Sequence, residues 1–219
     1  MVREYTRRFL LCISGLALYA FGNLWCIKAG DVGTNAWNTL ALGISHVSDF
    51  SFGTSTFLVG FSIIFLDLIC RGKLGFGTFL NALLIPIFSD WFLALGTNIP
   101  TCQTMAGGIG VTLLAQMVLS FATIIYMSAA LGCGPRDTMM VILGRKVPKV
   151  PIGIVKLVFE SSAMILGVIL GAPFGLGTIL VMVLQASMFQ LACTICRFEP
   201  RDLVHENLPD TLRRWKAGK

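Results

Sequence analysis

Charge is what this sequence has least of. Only 13% of its 219 residues are Asp, Glu, Lys or Arg, against about 25% in an ordinary soluble domain. That scarcity argues against a soluble globular protein, and the 55% hydrophobic content argues against disorder. Cysteine is present seven times, an odd number scattered through apolar runs, so a disulfide framework does not organise the fold. Cys193 and Cys196 have redox or metal spacing but lack a second pair or a nearby histidine, and a zinc site needs about four ligands. Enzyme signatures are missing too: there is no Gly-x-Ser-x-Gly, no His-Glu-x-x-His and no phosphate-binding loop. Neither His46 nor His205 has the surroundings of a catalytic base. No enzymatic activity, cofactor or metal is expected. The net charge of +6 forms no folded basic module, which argues against nucleic-acid binding.

What is there is long uncharged sequence. Phe9 to Ile27, Phe50 to Leu66, Leu74 to Ser89, Trp91 to Pro135 and Ser161 to Cys196 contain no charged residue. The fourth run is interrupted at Gly96-Thr-Asn-Ile-Pro100 and the last at Gly171-Ala-Pro-Phe-Gly175. A spanning helix takes roughly 20 apolar residues, and backbone groups in hydrocarbon must be satisfied within the segment. The runs do not alternate as barrel strands do. The expected fold is all-α: a polytopic transmembrane helix bundle with spans at 9–28, 54–70, 74–95, 106–129, 152–170 and 175–196. Two shorter stretches, 36–47 and 135–144, are too short to cross comfortably. The first span follows Arg3, Arg7 and Arg8 but is long for a signal sequence and precedes no clear cleavage site, so it is read as retained.

The chain also repeats itself. Gly33-Thr-Asn-Ala-Trp-Asn38 aligns with Gly132-Cys-Gly-Pro-Arg-Asp137 at an offset of 99 residues. Gly75-Phe-Gly-Thr-Phe-Leu80 aligns with Gly175-Leu-Gly-Thr-Ile-Leu180 at an offset of 100. Each half therefore reads as span, short segment, span, span. The expected organisation is a cytoplasmic N-terminus at 1–8, a first membrane repeat at 9–95, a second at 104–196 and a charged cytoplasmic tail at 197–219. With six spans and two re-entrant segments, the basic residues other than Lys28, Arg136 and Lys156 fall in the cytoplasmic segments, as the positive-inside rule asks. The two halves are then inverted relative to one another, an architecture common among secondary transporters. The tail, with Leu212 and Trp215, reads as a short helix resting on an anionic leaflet.

Several residues are candidates for a solute site. Arg136 can grip a carboxylate or phosphate bidentately; with Gly134 and Asp137 it opens a short helix whose N-terminus favours anions. Asn35, Trp37 and Asn38 occupy the matching place in the first half and offer neutral hydrogen bonds and an aromatic wall. Glu160 lies near the middle of its span, where an ionisable group is costly, with Lys156 one turn earlier; this pair is the candidate for ion coupling. Gly75, Gly77, Gly175 and Gly177 are read as close-packing or helix-start positions. Asp67 is expected to be a solvated partner of Arg71, and Asp90 to be satisfied at the outer surface by Lys28 or water.

These motifs resemble those of YczE/YyaS/YitT-type bacterial membrane proteins. The resemblance rests on Lys28-Ala-Gly, Gly33-Thr-Asn-Ala-Trp-Asn38, Gly75-Phe-Gly-Thr-Phe-Leu-Asn81, Leu131-Gly-Cys-Gly-Pro-Arg-Asp-Thr-Met139 and Gly175-Leu-Gly-Thr178, and covers about residues 10 to 195. Members typically have Pro-Trp-Asp where this chain has Ala36-Trp37-Asn38, so a carboxylate is missing from the first short segment. The resemblance implies a bacterial inner-membrane location without naming a substrate, and implies that the soluble C-terminal domain of YitT-like members is absent. The expected function is secondary transport of a small solute, for which Arg136 favours an anion. The alternative is a membrane regulatory or scaffold protein acting through a protein partner. Expected partners are the lipid bilayer and that solute, with no nucleic acid and with a homodimer left open.

Overall fold

The computed structural model describes residues 2–29, 34–70, 74–96, 100–132, 134–147, 149–150 and 152–198. They form eight helices: α1 (Val2–Lys28), α2 (Ala36–Val47), α3 (Phe52–Ile69), α4 (Phe76–Leu95), α5 (Met105–Ser128), α6 (Pro135–Lys146), α7 (Ile152–Ile169) and α8 (Leu176–Cys196). There is no strand among the described residues. Among those residues, α1 (from Arg3), α3, α4 and α5 are long and apolar enough to cross a membrane, and α7 adds the shorter apolar stretch Leu157–Ile169. The expected charged tail beyond Phe198 lies outside the described residues.

All eight expected segments are helical, and the short stretch 36–47 coincides with α2. The largest difference is at α1, which starts at Val2 rather than near residue 9. Its basic first turns are used in packing. Tyr5 is buried, and Arg8 donates from Nε to the Ala129 carbonyl (2.7 Å) and from a terminal nitrogen to that of Ala130 (2.8 Å). These are orphan carbonyls at the end of α5, and the cation meets the negative end of the helix dipole. At the opposite end of the pair, the Cys102 amide donates to the Lys28 carbonyl (3.0 Å). Helices α1 and α5 are therefore antiparallel. They approach closely because Gly15 and Gly22 face Tyr126 and Leu119; a Cβ at Gly15 would lie 2.6 Å from the Tyr126 amide nitrogen. Small residues at a crossing are the usual means of joining helices in lipid, where burial alone gives little drive.

The remaining pairs follow a pattern. Helix α4 packs on α1, with Phe9 on Phe76 and Phe21 on Phe92 at 5.7 and 5.6 Å, and α8 packs on α5. Helix α2 packs on α7, and α6 packs on α3; α2 also meets α3, as α6 meets α7. Exchanging the first four helices with the last four maps each of these pairings onto another, whereas α3 on α4 and the slighter meeting of α4 with α6 have no counterpart of like extent among the described residues. Outside this framework the surface is apolar: Leu114 and Ile169 are 71% and 73% exposed, and Phe65, Leu10 and Val158 are exposed alike. Water does not tolerate so continuous an apolar surface, whereas lipid solvates it.

Asp90 departs from its expected role. It accepts from the Gly53 amide (2.6 Å) and from the Ser51 hydroxyl, and so caps the first turn of α3. The carboxylate satisfies an orphan amide and the positive dipole end there, so its partners lie at the start of α3 rather than at Lys28. A side chain at Gly53 would collide with the Asp90 carboxyl and the Pro86 carbonyl. Asp67 also departs: it is fully buried, not solvated. Helix α6 closes over that end of α3, with Lys146 Nζ 3.7 Å from Cys70 Sγ.

Candidate functional site

The two short helices meet through side chains of their first turns. Helix α2 starts at Ala36 because Asn35 caps it: the Asn35 side-chain oxygen accepts from the Asn38 amide (2.9 Å). The Thr39 hydroxyl then donates to the Asn35 carbonyl (3.0 Å). The Asn38 side-chain NH2 donates to Asn23 Oδ1 on α1 (2.9 Å) and, more weakly, to Thr34 Oγ1 (3.4 Å). Asn23, Thr34, Asn35, Asn38 and Thr39 are all buried. Both donors of the Asn38 amide are thus used inside the protein, and Asn35 is used as a cap. Helix α6 starts after Gly134 with Pro135 in its first turn and has no side-chain cap, an arrangement that proline's fixed φ favours. The Thr138 amide and hydroxyl both donate to the Gly134 carbonyl.

Trp37, second in α2, and Arg136, second in α6, meet directly. The Arg136 guanidinium carbon lies 4.8 Å from the centre of the Trp37 ring. The ring meets Phe159 of α7 edge-on at 5.0 Å. Trp37 belongs to a buried cluster with Val59, Ile63, Met139 and Ala163. Stacking covers one face of the guanidinium and leaves its N–H donors in the plane. No acceptor holds those donors among the described residues, and Arg136 is half-buried. A guanidinium with donors that no described acceptor holds is chemically suited to an oxyanion.

Glu160 follows Phe159 on α7; it is half-buried and already engaged within the protein. The side chains of Lys156 and Asp137 lie outside the described residues, so the expected pairing of Glu160 with Lys156 does too. The Gly-x-Gly-Thr motifs are helix starts. Gly75 and Gly175 are the N-caps of α4 and α8. The Gly77 amide donates to the Leu131 carbonyl (2.8 Å), and Gly132, at φ +134°, would place a Cβ 2.7 Å from Gly75 Cα. That contact binds the start of α4 to the connection before α6. Cys193 packs with Ile124 and Ala192 in an apolar cluster. The sequence reading missed Asn23 and placed Asp67 at the surface, whereas the structure buries it. The signal for Asn23 is a lone amide in an otherwise apolar span; for Asp67 it is a carboxylate following Gly60, Ile63 and Ile64 on one helix face.

A model of the family of unknown function DUF6198 matches residues 6–194. The chain belongs to DUF6198. Two relatives extend the comparison. An uncharacterised protein of Haemophilus influenzae is 29% identical over 171 residues, covering 78% of this chain and 76% of its own. The uncharacterised membrane protein YczE of Bacillus subtilis is 28% identical over 193 residues, covering 88% of each. The resemblance to YczE-type proteins read from the motifs is thereby established. No solved structure matches this DUF6198 chain. The matched region takes in all eight helices up to Thr194, and with them Trp37 and Arg136.

Proposed function

We propose that the protein is a secondary transporter of a small oxyanionic solute in the bacterial inner membrane. It moves its solute without covalent chemistry. In this reading α1, α3, α4, α5, α7 and α8 cross the bilayer, α2 and α6 are re-entrant from opposite faces, both termini are cytoplasmic, and the two halves are inverted repeats. Support comes from the antiparallel packing of α1 on α5, from the exchange pattern of the helix pairs, and from a relative named as a membrane protein. The wider grouping with YyaS and YitT proteins belongs to the same reading. Inverted halves can swap conformations and so open one central site to either side in turn.

The observation that carries the proposal is the stacking of Arg136 on Trp37 where α2 and α6 begin. It presents a guanidinium whose N–H donors meet no acceptor among the described residues. Glu160, next to the Trp37–Phe159 contact, is the neighbouring carboxylate that discriminates against excess negative charge. A thermal-stability screen of the purified protein against amino acids, organic acids, sulfur compounds and nucleosides tests this. A ligand at about 100 times its dissociation constant stabilises by about 2.7 kcal/mol. The expected hit carries a carboxylate, sulfonate or phosphate, and disappears in Arg136→Ala while that variant still inserts and folds. Silence across the screen, or a hit indifferent to Arg136→Ala, overturns the assignment.

A further inference from the structure

Asp67 is fully buried in α3, and neither of its carboxylate oxygens has a hydrogen-bond partner among the described residues. It continues a buried face of that helix. Gly60 lies on Ala82 of α4, Ile64 packs with Leu74 and Ala82, and Val59 and Ile63 pack with Met139 of α6. Asp67 comes one turn later on the same face. Lys146, at the far end of α6, reaches Cys70 one turn further on. The carboxyl is therefore buried near the end of α3 along which α6 packs.

An ionised carboxylate so placed needs a positive partner, because burial removes the water that would otherwise solvate it. Charged groups on the elements packed against α3 are few. Helix α4 carries only Asp90, which sits at the other end capping α3. Helix α2 carries only His46, in its last turn. Helix α6 carries Arg136, which rests on Trp37, then Asp137, Arg145 and the exposed Lys146. The side chains of Asp137 and Arg145, and residues 71–73 with Arg71 and Lys73, lie outside the described residues. A metal cation would need several converging oxygens; a proton needs one.

We propose that Asp67 is a proton-binding site of the helix bundle and that α6 controls access to it. Helix α6 is one rigid element of about 18 Å. It begins with Arg136 at the solute site and ends beside Cys70, so a solute that draws Arg136 from Trp37 moves the helix that packs along that end of α3. Linking the proton to solute movement rests on the transport reading above; the proton site itself does not.

Dicyclohexylcarbodiimide decides the matter on the wild-type protein. This apolar reagent adds to protonated carboxyl groups in membrane interiors and rearranges to a stable N-acylurea, which peptide mass spectrometry locates. The expected result is label on Asp67 whose rate falls about tenfold per pH unit above the group's midpoint. In Lys146→Cys, a disulfide-containing bis-maleimide that bridges the introduced thiol and Cys70 should slow that labelling several-fold, and reduction of the linker should restore it. Absence of label at every pH, as an ion-paired carboxylate would give, overturns the site, as does a rate independent of pH. Protection by sodium and not by potassium reassigns it to a metal cation and overturns the proton. Equal labelling in the locked and reduced variant overturns the control by α6. A protein that labels at Asp67 but binds no solute keeps this site and loses the transport reading. One that binds solute through Arg136 but does not label does the reverse.

Discussion

The two short helices hold equivalent places in the chain, have 12 residues each, and are held very differently. Helix α2 is tied at its start by the Asn35 cap and by Asn38 to Asn23. It is locked further along by backbone-to-backbone packing on α7: a Cβ at Gly43 would lie 2.5 Å from the Gly167 carbonyl oxygen, and one at Gly167 would lie 2.5 Å from the Thr39 carbonyl. Helix α6 has a glycine–proline start, no side-chain cap, and half-buried residues at Arg136, Thr138, Ile142, Leu143 and Gly144. It is anchored chiefly through Met139 and through the stack on Trp37. The difference assigns unequal parts to equal-looking elements. In the transport reading proposed above, α2 is the fixed wall of the site and α6 the element that shifts against it.

The largest expected effect falls on the wall. Gly43→Val drives a branched side chain into the backbone of α7, and forced overpacking of this kind costs about 3 kcal/mol or more. Thermal unfolding in detergent should show a deeply destabilised protein; a variant as stable as wild type would mean that α2 and α7 separate readily and would erase the contrast. Next comes Asn38→Ala, which strips the Asn23 oxygen of its donor inside the bundle. Leaving a buried polar group unpaired costs about 1–2 kcal/mol, at the low end where membrane partners can rearrange. The matching change on α6, Thr138→Ala, removes a hydroxyl that only back-bonds to its own helix, and should cost no more than about 0.5 kcal/mol. Equal losses in the two variants would break the comparison.

Much of this architecture was legible in the sequence because the bilayer imposes it. Hydrocarbon thickness and the need to pair every backbone group mark out the helices, and Gly134-Pro135 marks the start of α6. The 99-residue offset also puts Trp37 and Arg136 in register, and the structure brings these two side chains together. What escaped are partners chosen by packing between distant segments. Arg8 bonds to Ala129 across 121 residues and Asp90 to Gly53 across 37; nothing local in either sequence names the other. Asp67 misled for the same reason. Its neighbour Arg71 suggests a surface pair, and only the packing of other helices on α3 buries it. The amides of α2 misled in a milder way: their chemistry suits a solute, but the Asn38 donors go to Asn23 and Thr34 and the Asn35 oxygen accepts within the cap.

The smallest effect is also the most discriminating. Arg136→Ala should lower stability by only about 0.5–1 kcal/mol, the usual worth of a partly exposed cation–π contact. Trp37→Leu should cost more, because the ring also fills the cluster with Val59, Ile63, Met139 and Ala163. The informative quantity is the coupling between the two changes, measured by a double-mutant cycle on thermal unfolding. If the stack holds α6 against α2, the double variant loses about 0.5–1 kcal/mol less than the sum of the singles. Adding a solute hit to the same cycle should abolish the coupling, because an oxyanion that recruits the guanidinium takes it from the ring. A coupling that persists unchanged with solute bound would leave Arg136 a structural tether, α6 a second fixed wall, and the two halves of the chain alike in role as well as in length.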